Sequence, residues 1–195
     1  MSTIFIAYGT GEGQTAKVAD YVATELAARG HEVTTRDLGE PGDVPAVDAF
    51  DAVVVGASIH MGAHQDVVVD FAREWRDGLA TRPSAFFQVS LSSASTDPEQ
   101  QADAARYVDE FRETTGWNPD VVGGFAGAIR YSEYGFLKRF MMKRIAKDAT
   151  GDTDASKDYE YTDWEDVASF VHAVDALVDR DAVAESDRRV EGPRS

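Results

Sequence analysis

The run AVVVGA, Ala52–Ala57, constrains the fold more than any other stretch of the chain. A strand with one wet face alternates apolar and polar residues, and this one does not. Such a run belongs in a parallel sheet covered on both faces. The rest of the chain supplies strands beside it and helices to cover it. Ile4–Tyr8 reads as a buried strand, and Thr15–Arg29 as a helix with Val18, Ala19, Val22 and Leu26 on one stripe. Gly30 suits the end of that helix. His31–Asp37 is a second strand, Gly39–Pro45 a linker, and Phe50–Ala57 the third strand. An amphipathic helix follows at His64–Trp75, a strand at Ser84–Leu91, a helix at Pro98–Thr115 and a fifth strand at Asp120–Ala128. Asp163–Val178 forms the last helix, and the polar residues from Arg180 to Ser195 are expected to be a disordered tail. This alternation predicts a doubly wound α/β sheet in a three-layer α/β/α sandwich.

The first strand breaks into AYGTGEGQT, Ala7–Thr15, and then opens a helix. Backbone N–H groups converge at such a helix start, where the dipole favours an anion, so the loop suits a phosphate. A nucleoside-triphosphate loop needs GxxxxGK before Ser or Thr, but Gln14 stands where the lysine belongs. A dinucleotide loop needs GxGxxG. Gly9 and Gly11 fit it, Gln14 replaces the third glycine, and Asp37 in the second strand keeps that reading open as a ribose-binding acid. The mononucleotide loop of flavodoxins has hydroxyls at both ends, here Thr10 and Thr15, and needs no lysine. A glycine-rich turn without a ligand is the fourth reading. The mononucleotide option predicts strand order 2-1-3-4-5, with the ligand at the carboxyl ends of strands 1 and 3. The loops after strands 1, 3 and 4 should then be small and polar. They are AYGTGEGQT, GASIHMGAH (Gly56–His64) and VSLSSAST (Val89–Thr96), which favours a ligand over the bare turn.

At 195 residues the chain fits one ordinary domain. Its 35 acidic residues against 19 basic ones leave a net charge of −16. The even spread of acids resembles proteins of salt-loving organisms, although an acidic carrier docking on basic partners has the same sign. This charge disfavours nucleic acid. With no cysteine, redox chemistry would fall to an organic cofactor or a non-thiolate metal. His60 and His64 have the spacing of one helical turn, but without a carboxylate in register no metal is expected. The start, MSTIFIAYG, lacks a signal peptide's basic flank, and no stretch approaches the roughly 20 apolar residues that span a bilayer. A cytoplasmic protein, soluble or peripheral on the inner face of the membrane, is expected.

Several strings resemble one family when taken together: GQT (Gly13–Thr15), GASI (Gly56–Ile59), PSAFF (Pro83–Phe87), the W-x-P-D of Trp117–Asp120, GAIRY (Gly127–Tyr131), KRFMMK (Lys138–Lys143) and YTDWE (Tyr161–Glu165). It is the flavodoxin-like, menaquinone-dependent protoporphyrinogen oxidases. The resemblance runs from Ile4 to about Val178 and implies a single FMN-binding domain over 1–179. It also implies transfer of hydrogens from a tetrapyrrole precursor to a menaquinone-type quinone. Carried onto this chain, Thr10, Gly11, Glu12, Gly13, Gln14 and Thr15 would hold the FMN phosphate. Ser58, Ile59, His60, Met61 and Gly62, with Ser90, Leu91, Ser92, Ser93 and Ala94, would line the ring. His60-Met61 stands where the family carries Arg-Tyr, which leaves the substrate open.

Residues 127–160 exceed what a crossover needs and form a basic insert. Arg130, Lys138, Arg139, Lys143, Arg144 and Lys147 are six of the 19 basic residues, interleaved with Tyr131, Phe136, Phe140 and Met141. A helix over Phe136–Lys147 would align Arg139, Lys143 and Lys147 on one face. Arg130, Tyr131, Arg139, Lys143 and Lys147 are therefore candidates for docking propionates or an anionic membrane surface, against the alternative of packing on the sheet. His60 is the candidate proton-handling group near the ring, against the alternative of a solvent-facing loop histidine. A flavodoxin electron carrier, a quinone or NAD(P)H reductase, and a flavin-free regulatory domain remain rivals. The loops after strands 3 and 4 offer no Trp or Tyr to stack on a flavin.

Overall fold

The computed structural model describes residues 1–60, 62–94, 98–129 and 158–190. In chain order the elements are β1 (Thr3–Tyr8), α1 (Gln14–Ala28), β2 (Glu32–Asp37), β3 (Ala52–His60), β4 (Ala63–His64), α2 (Asp66–Glu74) and α3 (Arg76–Ala80). Then come β5 (Ser84–Ser90), α4 (Pro98–Thr115), β6 (Val121–Ala126), β7 (Ala128–Ile129), β8 (Tyr159–Glu160) and α5 (Trp164–Val190). Five strands form the expected parallel sheet in the order β2-β1-β3-β5-β6.

Alternation along each central strand divides the core in two. Ile4, Ile6, Val54 and Phe87 meet Val18, Val22 and Leu26 of α1 and Val167, Phe170, Val171 and Val174 of α5. Phe5, Ala7, Val53, Val55 and Phe86 meet Val68 and Phe71 of α2, Leu79 of α3 and Val108 and Phe111 of α4. Neighbouring residues of β3 thus face opposite layers, so AVVVGA has no wet side. At Gly56 the close approach is specific: Gly56 pairs with Phe87 in register, and a Cβ there would collide with the Phe87 ring.

The structure departs from the sequence expectations in five places. The third strand runs three residues past Ala57, because β4 folds back antiparallel on its end and pairs Ile59 with His64 and His60 with Ala63. The following helix therefore begins at Asp66 instead of His64. The His60–His64 pair lies on this hairpin, where the register turns the two side chains to opposite faces, and not on a helical turn. Two more short strands, β7 and β8, pair antiparallel and bring residues 129 and 159 together at the base of the insert. Finally, α5 continues to Val190, so residues 180–190 are helix where a disordered tail was expected. No glycine or proline interrupts the chain from Trp164 until Gly192-Pro193, and an exposed polar surface does not prevent a helix from continuing. The cations expected on Phe136–Lys147 lie outside the described residues.

Candidate functional site

A cavity of about 460 Å³ opens at the carboxyl ends of β1, β3 and β5, within the usual range of small-molecule sites. The loop after β1 and the start of α1 provide Thr10, Gly11, Glu12, Gln14 and Thr15. The end of β3 and its hairpin provide Ser58, Ile59, His60 and Gly62, and the end of β5 provides Val89, Ser90, Leu91 and Ser92. All three loops singled out in the sequence therefore converge on one cavity. Tyr107 of α4 and Gly127 and Ala128 before and within β7 complete the wall.

The loop's shape follows from two residues. Gly13 precedes α1 with φ +83°, a left-handed conformation that a side chain disfavours. Its N–H donates to Thr10 Oγ1 at 2.9 Å, so that amide is already used inside the loop. Gly13 does not line the cavity and acts by shaping the turn. Thr15 is 1% exposed, and its Oγ1 is buried without a hydrogen-bond partner among the described residues. Ser58 Oγ and Gln14 Oε1 are in the same position. Buried hydroxyls and amide oxygens are normally paired, so three orphans lining one cavity at a helix N-terminus mark a place for a polar ligand. A phosphate-bearing ligand fits that donor set: the hydroxyls and free amides of α1's first turn can donate to it.

Not every predicted residue reaches the cavity. Ser93 turns inward, with its N–H donating to Ser90 Oγ at 3.1 Å and the two hydroxyls 2.8 Å apart. Ser93 does not line the cavity, and Met61 and the side chain of Ala94 lie outside what the structure describes. Arg130, Tyr131, Arg139, Lys143 and Lys147 lie outside them too. His60 lines the cavity and is exposed at the end of β3. Asp37, the residue that kept a dinucleotide reading open, does not line the cavity and accepts the Gly39 N–H at 2.9 Å.

Val89, Tyr107, Gly127 and Ala128 line the cavity without having been expected there, and Tyr107 is the largest of them. It lies in the helical stripe of α4, 9% exposed, where it reads as core. Only the packing of α4 over the β3–β4 hairpin brings its hydroxyl opposite Gly62. The loops themselves carry no Trp or Tyr, but the cavity wall does contain an aromatic ring.

His64 stands behind this wall. Its Nε2 is 3.1 Å from Gln88 Oε1, and its ring packs on Phe111 with centroids 4.9 Å apart. Burial lowers its pKa below the ordinary histidine value, and the Gln88 contact and Glu110 only partly oppose this. The Gln88 amide nitrogen donates to Ala104 O at 2.6 Å, which turns Oε1 towards His64 and places a proton on His64 Nε2. His64 is therefore a neutral, structural imidazole.

The strings that carried the family resemblance sort by position. In W-x-P-D and PSAFF, Trp117 Nε1 donates to Ser84 Oγ at 3.2 Å and the Ser84 N–H to Asp120 Oδ2 at 2.9 Å, which joins β5 to β6 at their starts. GQT and YTDWE meet at the cavity end of the sheet, where Gln14 Nε2 donates to Thr162 Oγ1 at 2.8 Å. A larger groove of about 800 Å³ lies near Met1, Phe50 and Arg82 at the opposite end of the strands. There Arg82 is already committed to the Val47, Phe50 and Gly78 carbonyls and to Asp48.

A flavodoxin-domain family model matches residues 5–156. The protoporphyrinogen IX dehydrogenase [quinone] of Escherichia coli (strain K12) is 35% identical over 92% of this chain and 98% of its own length. That of Leishmania major is 32% identical over 87% of this chain and 73% of its own. Among solved structures, Flavodoxin 1 from Bacillus cereus has a TM-score of 0.54 at 14% identity, covering 91% of this chain and 98% of that one. A Streptococcus pneumonia flavodoxin has a TM-score of 0.55 at 16% identity, covering 91% and 99%. The structural likenesses establish the fold, and the sequence relatives cover about nine-tenths of the chain. The chain belongs to the flavodoxin family, in the branch of the protoporphyrinogen IX dehydrogenases [quinone].

Proposed function

We propose that the cavity holds FMN and that the chain dehydrogenates a porphyrinogen, delivering the electrons to a quinone. The observation that carries this reading is the set of buried, unpaired polar atoms at the start of α1, facing a cavity otherwise walled by Ile59, Val89, Leu91 and Tyr107. That polarity, anion-binding at one end and apolar at the other, matches a phosphate-bearing aromatic cofactor. The names of the relatives from E. coli and L. major supply the reaction.

The hydroxyls of Thr10 and Thr15 and the main-chain amides of Gly11, Glu12, Gln14 and Thr15 hold the phosphate end, with Gly13 shaping the loop. Ser58–Gly62 and Ser90–Ser92 flank the ring, and Ile59, Leu91 and Tyr107 exclude water from it. FMN supplies a two-electron redox centre, which a chain without cysteine lacks. His60, exposed at the rim, is the candidate proton-handling group beside the ring. The cations Arg130, Arg139, Lys143 and Lys147, with Tyr131, attract the substrate's propionates and, with them, an anionic membrane surface where a quinone resides. No described helix is long and apolar enough to cross a membrane.

The test is an FMN titration followed by an anaerobic assay with protoporphyrinogen IX and a menaquinone analogue in high salt. Quenching of flavin fluorescence and quinone-dependent growth of porphyrin fluorescence are expected. A protein that leaves FMN fluorescence untouched would overturn the cofactor assignment. A flavin-loaded protein that ignores both small molecules yet reduces partner proteins would overturn the reaction. Replacing Arg139, Lys143 and Lys147 together with Gln should weaken substrate and liposome binding at matched salt and leave FMN bound.

A further inference from the structure

We propose that Gln14 reads the polyol chain of the flavin: its Oε1 accepts a hydrogen bond from a ligand hydroxyl, while its amide nitrogen anchors that contact to the β7–β8 ribbon. The inference rests on the FMN reading of the cavity and adds a specificity-determining residue to it.

The polarity of the amide follows from its neighbours. Thr162 Oγ1 lies 2.7 Å from the Ala126 carbonyl oxygen, which can only accept, so the single hydroxyl proton of Thr162 points there. Towards Gln14, 2.8 Å away, Thr162 can therefore only accept. The group facing it must be Nε2, which fixes the orientation of the amide. The neighbouring Glu160 carboxylate accepts from Lys17 Nζ at 2.7 Å and from Trp164 Nε1 at 3.2 Å. With Nε2 committed to Thr162, Oε1 takes the other branch of the amide and is left without a partner among the described residues.

Gln14 is 5% exposed and lines the cavity, and its Oε1 has no partner among the described residues. This orphan differs in kind from its neighbours. The hydroxyls of Thr15 and Ser58 can donate to an anion, whereas an amide oxygen can only accept. A phosphate dianion offers it no proton and would be repelled. Within FMN the donors are the ribityl hydroxyls and the ring imide N–H. Gln14 opens α1 at the phosphate end of the cavity, where the polyol chain begins. A hydroxyl of that chain is the partner that satisfies Oε1.

The other side of the amide gives the contact a second consequence. Through Thr162, two residues beyond the end of β8, Gln14 is linked to the carbonyl of Ala126 at the end of β6. Tyr161 N–H donates to Gly127 O at 3.1 Å in the same place. A ligand held by Oε1 therefore steadies β7, β8 and the start of α5 through one side chain.

The experiment compares FMN with a flavin phosphate whose ribityl chain is replaced by a plain alkyl chain. Both are titrated into the full-length protein and its Gln14→Leu, Gln14→Met and Thr162→Val variants, with circular dichroism to verify folding. Gln14→Leu and Gln14→Met should lose about tenfold in FMN affinity, the scale of one buried hydrogen bond, and bind the alkyl flavin as the parent does. FMN should slow hydrogen exchange at Tyr159–Tyr161 in the parent and not in Thr162→Val. Equal losses for both flavins, or no loss for either, would overturn the assignment of Gln14. A parent protein that binds neither flavin would instead overturn the reading of the cavity.

Discussion

Lys17 Nζ and Glu160 Oε2 are 2.7 Å apart although 143 residues separate them in the chain. The pair fastens the first turns of α1 to β8, beside the link between Gln14 and Thr162. It holds the Glu160 carboxyl below its ordinary pKa, first through the Lys17 hydrogen bond and further through Trp164 and Gln14, against a smaller opposing effect of burial. A depressed carboxyl stabilises the fold at any pH above its unfolded value, and that contribution disappears as pH falls through the native value. Both side chains are more than a third exposed, so the ion pair contributes less than about 1 kcal/mol. Glu160→Gln should lower the urea midpoint slightly at neutral pH and leave it unchanged in strong acid. A midpoint difference that persists well below pH 4 would exclude ionisation as its source.

Thr15 and Ser58 make the opposite kind of prediction. Their hydroxyls have no hydrogen-bond partner among the described residues, so they contribute little to the folded protein alone. Thr15→Val and Ser58→Ala should keep or slightly raise the thermal midpoint without cofactor. Each should weaken FMN binding by about tenfold, the scale of a hydrogen bond to a charged or polar ligand group. Calorimetry and fluorescence titration on the same samples separate the two effects.

His64 sets a pH dependence of definite sign. Its native pKa lies below the ordinary histidine value, so the unfolded chain binds a proton more readily than the folded one. Stability should therefore fall as pH drops below about 6.5 towards the native value, and flatten beneath it. Denaturant midpoints across this range, compared with His64→Gln, isolate the effect. A slope of the same size in the variant would assign it to other groups.

Gly56→Ala should be among the most damaging small substitutions in the protein. The added methyl meets the Phe87 ring, which is itself fully buried between Phe125 and Phe170. Overpacking of this kind costs about 1–3 kcal/mol. Chemical denaturation should show the loss, and Phe87→Leu in the same chain should restore part of it. If the double variant is no better than Gly56→Ala alone, the clash is not the cause.

The layered fold was legible because its signals are local. AVVVGA cannot sit in a half-wet strand, and the stripe Val18, Ala19, Val22 and Leu26 cannot face away from a sheet. The boundaries were less legible where pairing overrides local pattern. In GASIHMGAH only Gly62, at φ +83°, marks the turn that carries β3 to His60 and returns through β4, and one glycine does not fix the cross-strand pairing that makes the hairpin. The polar surface of residues 180–190 resembles a solvated tail until the uninterrupted helix register is seen.

The site divides in the same way. Sequence alone determined the three loops that meet at the carboxyl ends of the strands, since topology obliges them to converge there. Tertiary structure alone decided which residues of those loops face the cavity. Thr10 uses the Gly13 amide and Ser90 holds Ser93, so two expected contacts are spent inside the loops. It also added Tyr107 from α4 and joined Gln14 to Thr162 across 148 residues. A periodic pattern shows that a residue is buried, but the partner it is buried against is set by how the helices pack on the sheet.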